Sequence, residues 1–182
     1  MSTFPCTACG QCCKSVKKKI EDAKNGIGEE PLKTLYLQFP YSYKEDGSCE
    51  KLDPETNKCT IYSKRPFLCE VERVYYHFFA RKNVNIPLCD PDLLPKMPPL
   101  KKGLSSHEIK MQYAIHQQEV AEYCKKHNIK NWCLPEKMKP IRKQDFFMAV
   151  AQTCNQTIID AGLDGKYLIK EVYSLPLEKQ KK

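Results

Sequence analysis

Two stretches of this chain carry apolar residues at helical spacing for long enough to define an element. Ile109, Tyr113, His116, Val120, Tyr123 and His127 follow one another at steps of four and three. Ser105-Ser106-His107-Glu108 precedes them as a capping box, so a helix is predicted from there to about His127, stopped by Asn128. A second helix is predicted over 143–161, burying Phe147, Val150, Ala151, Cys154 and Ile158 and closed by Gly162 or Gly165. Shorter patterns come before these. Val16, Ile20 and Ala23 line one side of a predicted helix over 14–24, with lysines on the other side and Asn25-Gly26 at its end. Pro66 opens another over 67–83, whose face is Val71, Val74, Tyr75, Phe78 and Phe79 and whose first turn holds Cys69. Residues 32–39, bounded by Pro31 and Pro40, fit both periods and are read as a strand. Two short strands, 47–53 and 58–62, flank a Pro54-Glu55-Thr56-Asn57 turn. Five prolines in 85–103 predict an ordered connector on the surface, Pro135 and Pro140 mark a second, and 167–173 is read as a last short strand. The expected fold is mainly α with a small β-hairpin, an irregular α+β arrangement. A cysteine-rich part, 1–90, is expected to pack on a helical part, 91–182, as a single domain.

Composition changes this picture in two respects. With 41% hydrophobic residues the chain has material for a core, so a bound metal need not supply all of the stability. Eleven cysteines in 182 residues indicate either disulfides or metal ligands, and the compartment decides between them. The residues before Cys6 are too few for the apolar part of a signal peptide, and no apolar run approaches a membrane span. The expectation is a cytoplasmic protein with reduced thiols. The net charge of +8 comes from 30 Lys and Arg against 22 Asp and Glu, with part of the excess in Lys17-Lys18-Lys19 and in Lys179, Lys181 and Lys182. A nucleic-acid surface is one reading; with no nucleic-acid motif present, a solvated lysine face is the one adopted.

The chemistry lies in Cys6-Thr7-Ala8-Cys9-Gly10-Gln11-Cys12-Cys13. Thiolates are soft anionic ligands suited to zinc and iron–sulfur clusters, and a C-x-x-C step brings two of them together across a tight turn. Cys6, Cys9 and Cys12 repeat that step, and Gly10 supplies a residue free to take positive φ. Cys13 is expected to diverge from Cys12, as a ligand of a second site or an outer group. Cys49, Cys59 and Cys69 bring the candidates to seven, more than one four-thiolate site needs and one short of two. Cys89 is a candidate eighth. Cys124, Cys133 and Cys154 are read as packing residues, as are His116 and His127, with His77 and His107 at the surface or capping. Arg65 is placed either beside the thiolates, offsetting their charge, or simply on the surface.

Three motifs together, C-x-x-C-x-x-C-C at Cys6 to Cys13, Gly-x-Cys at Gly47 to Cys49, and Cys-x-Ile-Tyr-x-x-Arg-Pro-x-x-Cys at Cys59 to Cys69, resemble the YkgJ-type cysteine-cluster family, the zinc- or iron-chelating CxxCxxCC domain. The resemblance spans residues 6–69. It implies metal binding through Cys6, Cys9, Cys12, Cys13, Cys49, Cys59 and Cys69, and one branch of that family resembles the flagellin lysine methylases, which carry an iron–sulfur cluster. On the residues alone, a single zinc and a single 4Fe-4S cluster would each use four thiolates, and the tandem triplet suits a cluster somewhat better. The expected function is a metal-binding protein holding zinc or an iron–sulfur cluster, with a metal or cluster as its ligand and a centre that is either structural or handed to an unidentified protein partner. The alternatives are an iron–sulfur-dependent enzyme of group transfer or redox chemistry, and a basic nucleic-acid-binding protein. No nucleophile elbow, phosphate loop or dinucleotide fingerprint is present.

Overall fold

A computed structural model describes residues 4–7, 9–80, 84–135, 141–163 and 165–170. In chain order the helices are α1 (Gln11–Lys14), α2 (Val16–Lys24), α3 (Leu32–Leu37), α4 (Val71–Val74), α5 (Ser106–Lys126) and α6 (Lys143–Asp160). A two-stranded antiparallel sheet, β1 (Ile86–Pro87) with β2 (Asn131–Trp132), pairs Ile86 with Trp132 and Pro87 with Asn131. The fold is thus mainly α with a small antiparallel sheet, as expected, but the sheet lies in the connectors.

The two long helices form where the periodicity places them. Ser105 Oγ accepts from the Glu108 amide while Glu108 returns its carboxylate to the Ser105 amide, closing the capping box at α5. Asn128 follows at φ 52°. Phe147, Ala151 and Ile158 are fully buried on α6, and Gly162 ends it at φ 65°. The helix predicted over 14–24 begins earlier and breaks at Ser15, leaving α1 and α2, with Val16, Ile20 and Ala23 buried.

Several short elements depart from expectation. Residues 32–37 are helical: Pro31 precedes the first turn, and only Leu35 turns fully inward, which suits a helix lying on a surface better than a strand. The hairpin reduces to isolated antiparallel bridges, Tyr43 with Cys49 and Leu52 with Cys59. Asp53 accepts from the Glu55 amide and the Thr56 hydroxyl, and these local bonds consume the turn that would have extended the ladder. The helix predicted over 67–83 is broken. Pro66 is extended, Phe67–Cys69 makes a 3₁₀ turn, and Glu70 interrupts before α4; a π-turn, Tyr75–Phe79, then follows. Cys69 therefore ends a tight turn rather than sitting in the first turn of a helix. In the proline-rich connector Ile86 and Cys89 are buried rather than on the surface, because β1 docks there. Where a last strand was expected, Gly165–Tyr167 is a 3₁₀ turn, and residues from 171 onward, with the lysine tail and Pro140, lie outside the described set.

Aromatic contacts join these pieces. Phe67, Val74, Phe78, Leu35 and Ile86 form one cluster, against which Trp132 and Phe146 pack. The π-turn directs Phe78 to Trp132, with ring centroids 5.6 Å apart, and Phe79 to Phe146 at 5.0 Å. Tyr75, Phe147, Ala151 and Ile169 form a second cluster that includes Phe4 and the half-buried Cys154. Lys143, at the start of α6, is buried and donates to Glu72 at 2.6 Å and to the Tyr76 hydroxyl at 3.1 Å. A third, smaller cluster of Val16, Ile20 and Cys49, with Cys13, Phe39 and Tyr41 packed on it, underlies the cysteine loop.

Phe147 is 0% exposed and touches both Phe4 and Tyr75. Phe147→Ala is expected to cost about 3–5 kcal/mol in urea unfolding. A loss under about 1 kcal/mol would show that α6 is not packed as described.

Candidate metal centre

The cysteine loop ends in a helical turn set by Gly10. At φ 74° its carbonyl accepts from the Cys13 and Lys14 amides, at 2.9 and 3.0 Å. A β-carbon at Gly10 would lie 2.5 Å from the Asn57 carbonyl oxygen, so no other residue lets the loop lie this close to the turn between Cys49 and Cys59. Cys12 and Cys13 share α1, and their sulfurs stand 3.9 Å apart rather than diverging. The Cys49 amide donates to the Cys13 carbonyl at 2.8 Å, which stitches the first motif to the second. The Leu52–Cys59 bridge aligns the second with the third, and the 3₁₀ turn at Phe67–Cys69 brings Cys69 to the same region.

The charges acting between thiols report which of them face one another. Cys13 is held far above the ordinary thiol range by its hydrogen bond to Cys12 and by burial, with Cys12, Cys69 and Cys49 adding to the effect. Burial pushes Cys69 up to about 12, and Cys12, Cys49 and Cys59 reinforce it while Arg65 opposes. Cys49 is raised by burial and by Cys59. Cys12 moves the other way: the hydrogen bond from Cys13 brings it down to about 6 against the cost of desolvation, with the Lys19 ammonium assisting. Cys12 and Cys49 thus act on both Cys13 and Cys69, and Cys59 acts on Cys49 and Cys69. Cys6 and Cys12 are exposed and Cys9 is half-buried. Among the described residues, no group of three or more His, Cys, Asp and Glu side chains closes to metal-binding separation.

Two cations serve this region. The Arg65 guanidinium lies 3.9 Å over the Tyr62 ring and within the field of Cys69, and its Nε is buried with no hydrogen-bond partner. A buried N–H is costly unless it is satisfied, and an anionic sulfur beside it is an acceptor; the donor set thus fits a thiolate-bound metal. Lys19, read from the sequence as part of a solvated run, lies over the Tyr36 ring at 5.5 Å. Burial opposes its charge, but Tyr36, Cys12 and Cys154 outweigh burial and raise it. The signal for Lys19 was its place one residue before Ile20, beside the buried stripe.

The other candidates lie elsewhere. Cys89 is fully buried, and its thiol, raised to about 11 by burial, has Cys124 and Asp90 as charged neighbours. His77 meets the Phe67 and Phe78 rings, His127 stacks on Tyr123, and His116 faces Glu119 at 3.7 Å.

In the reduced, metal-free chain, alkylation of Cys12 is expected to follow a midpoint of about pH 6, well below an ordinary thiol, and Lys19→Met is expected to raise it. Peptide-resolved rates that keep climbing through the ordinary thiol range would contradict this.

No match was found among curated proteins or among solved structures. A family model does match residues 5–90, just under half of the chain, and the match contains all seven thiols of the three motifs. Residues 5–90 are thus similar to the CxxCxxCC family, described as a putative zinc- or iron-chelating domain.

Proposed function

We propose that this chain holds zinc or an iron–sulfur cluster through thiolates drawn from Cys6, Cys9, Cys12, Cys13, Cys49, Cys59 and Cys69, and that the centre holds the front of the fold together. The observation that supports this reading is that thiols from separate segments with little regular structure of their own act on one another, Cys13 with Cys12, Cys49 and Cys69, and Cys69 with Cys12, Cys49 and Cys59. Cys13, Cys49, Cys59 and Cys69 come from a helical turn, two bridged arms and a 3₁₀ turn. Among the described residues a small apolar cluster of Val16, Ile20 and Cys49 lies beneath the loop, with Cys13 packed against it. A metal replaces the protons on such thiols and balances the negative charge that burial and neighbouring sulfurs otherwise disfavour. Arg65 and Lys19 then neutralise the residual negative charge of a four-thiolate centre. These cysteine-rich residues and the part that follows them act as one domain, joined through Tyr75 and Phe147.

The first test is metal and sulfide analysis after anaerobic purification. Zinc or iron bound in stoichiometric amount is expected. Removing it with a chelator is expected to raise hydrogen exchange across 6–69 while α5 keeps its protection. Unchanged exchange across 6–69 after complete removal would contradict a structural role.

Affinity is expected to depend steeply on pH. Cys13 and Cys69 are both protonated at neutral pH, so binding must displace at least their two protons, and affinity falls as pH falls. Two displaced protons correspond to about 100-fold weaker zinc binding for each unit the pH is lowered. A competition titration showing no dependence would exclude these thiols as ligands.

A further inference from the structure

The segment that follows α6 returns to the start of the cysteine loop, and the two enclose a cavity. α1 packs on α6, and before the loop Phe4 sets its edge on Phe147 with ring centroids 5.3 Å apart. The Thr7 hydroxyl donates to the Tyr167 carbonyl at 2.8 Å, which ties the loop to the returning segment. Asn155, on α6, fixes that segment in turn: it donates to the Ile169 carbonyl at 3.1 Å and accepts from the Ile169 amide at 2.7 Å. Between the two segments lies a cavity of about 320 Å³, at the lower end of the range that holds small molecules. One wall is Pro5, Cys6 and Thr7. The other is Lys166, Leu168, Ile169 and Lys170. That second wall lies outside the matched residues 5–90.

Several polar groups of these walls are already spent on the fold. The Cys6 amide donates to the Phe4 carbonyl at 2.9 Å and the Leu168 amide to the Gly165 carbonyl at 3.1 Å. Both backbone groups of Ile169 are bound to Asn155, and the Thr7 hydroxyl proton goes to Tyr167. The walls carry two exposed cations: Lys166, held over the Tyr167 ring at 5.2 Å, and Lys170. Among the described residues that line the cavity there is no Asp or Glu to neutralise them. Two ammoniums without a carboxylate favour an anion, and an ammonium holds a carboxylate as a point charge with several donors. Pro5, Leu168 and the buried Ile169 add apolar surface beside the charges. An apolar wall favours an anion that carries a hydrocarbon body over a bare inorganic ion.

We infer that this cavity is a binding site for a small carboxylate with a short apolar body, its charge held by Lys166 and Lys170 and its body against Leu168 and Ile169. A ligand there lies against Cys6, the first thiol of the cysteine loop. The site goes beyond metal binding and does not depend on it, since six of the seven motif thiols stand outside its walls.

The test uses the full chain, isotope-labelled, purified anaerobically and titrated with butyrate at low ionic strength. Saturable shifts are expected in the backbone amides of Thr7, Leu168 and Ile169. Replacing both lysines, Lys166→Met with Lys170→Met, is expected to weaken butyrate binding about tenfold or more. Lys101→Met with Lys102→Met removes two exposed lysines that do not line the cavity and is expected to leave binding unchanged. Butyramide, which lacks the charge, and inorganic phosphate, which lacks the apolar body, are each expected to bind about tenfold more weakly than butyrate. Should the double variant at 166 and 170 fail to fold, this comparison of three ligands on the unaltered chain decides the matter. Absent shifts, shifts centred on other residues, undiminished binding by that double variant, or butyramide or phosphate binding as tightly as butyrate overturns the inference. These outcomes leave the thiolate centre standing, because none of them reads metal content. A chain that binds butyrate as described but carries no metal keeps this site and loses the other.

Discussion

Thiolates gathered into one volume repel one another, and burial raises the cost of their charge. The front of this protein is arranged around that conflict. Burial and neighbouring sulfurs hold Cys13, Cys49 and Cys69 in their protonated forms, while the exposed Cys12 takes up negative charge beside Lys19. The backbone then fixes the sulfurs in place. The Cys49 amide on the Cys13 carbonyl and the close approach of Gly10 to Asn57 leave the arms little freedom to separate. Such thiols stay neutral together, and a cation is needed before they can give up their protons. Lysine and arginine relieve part of that charge, and a soft metal ion is suited to the rest.

The remainder of the molecule is stabilised by more ordinary means. Phe67, Phe78, Trp132, Phe79, Phe146, Tyr75, Phe147 and Phe4 contact one another in sequence, edge to face or tilted, from the third motif to α6 and back to the residues before Cys6. Such contacts add modestly to the burial of the rings themselves. Because this aromatic path begins beside Cys69 and ends beside Cys6, core packing and thiol placement are coupled. The buried Lys143–Glu72 pair adds a polar contact to the same junction.

The long helices were legible because a pattern repeated over five or six turns outweighs any single residue, and because Ser105 and Glu108 announce the start of α5. Gly10 was legible as well, since a turn that needs positive φ favours glycine. Short elements were not. Residues 32–37 hold too few apolar positions to separate a helical period from a strand period, and packing of Leu35 decides the outcome. The break at Glu70 and the π-turn after it answer to where Phe78 and Tyr75 must point, which is a tertiary demand without a local signal. For the same reason the sequence separated Cys12 from Cys13 and read Lys19 as part of a solvated run. Which thiols share a volume depends on how α1 lies against α6, and no spacing within either segment records that.

The contact of Phe4 and Thr7 with α6 and Tyr167 joins parts of the chain separated by most of its length. During synthesis the cysteine loop emerges long before the helix it rests on, so its thiols stay without their packing partner while the intervening chain is made. Contacts of such high sequence separation also form late in folding, because closing the loop costs entropy before any contact rewards it. For that interval the loop is open to oxidants and to any metal in the surroundings. The cell's protection of the nascent thiols, rather than the finished fold, then governs which ion they first meet.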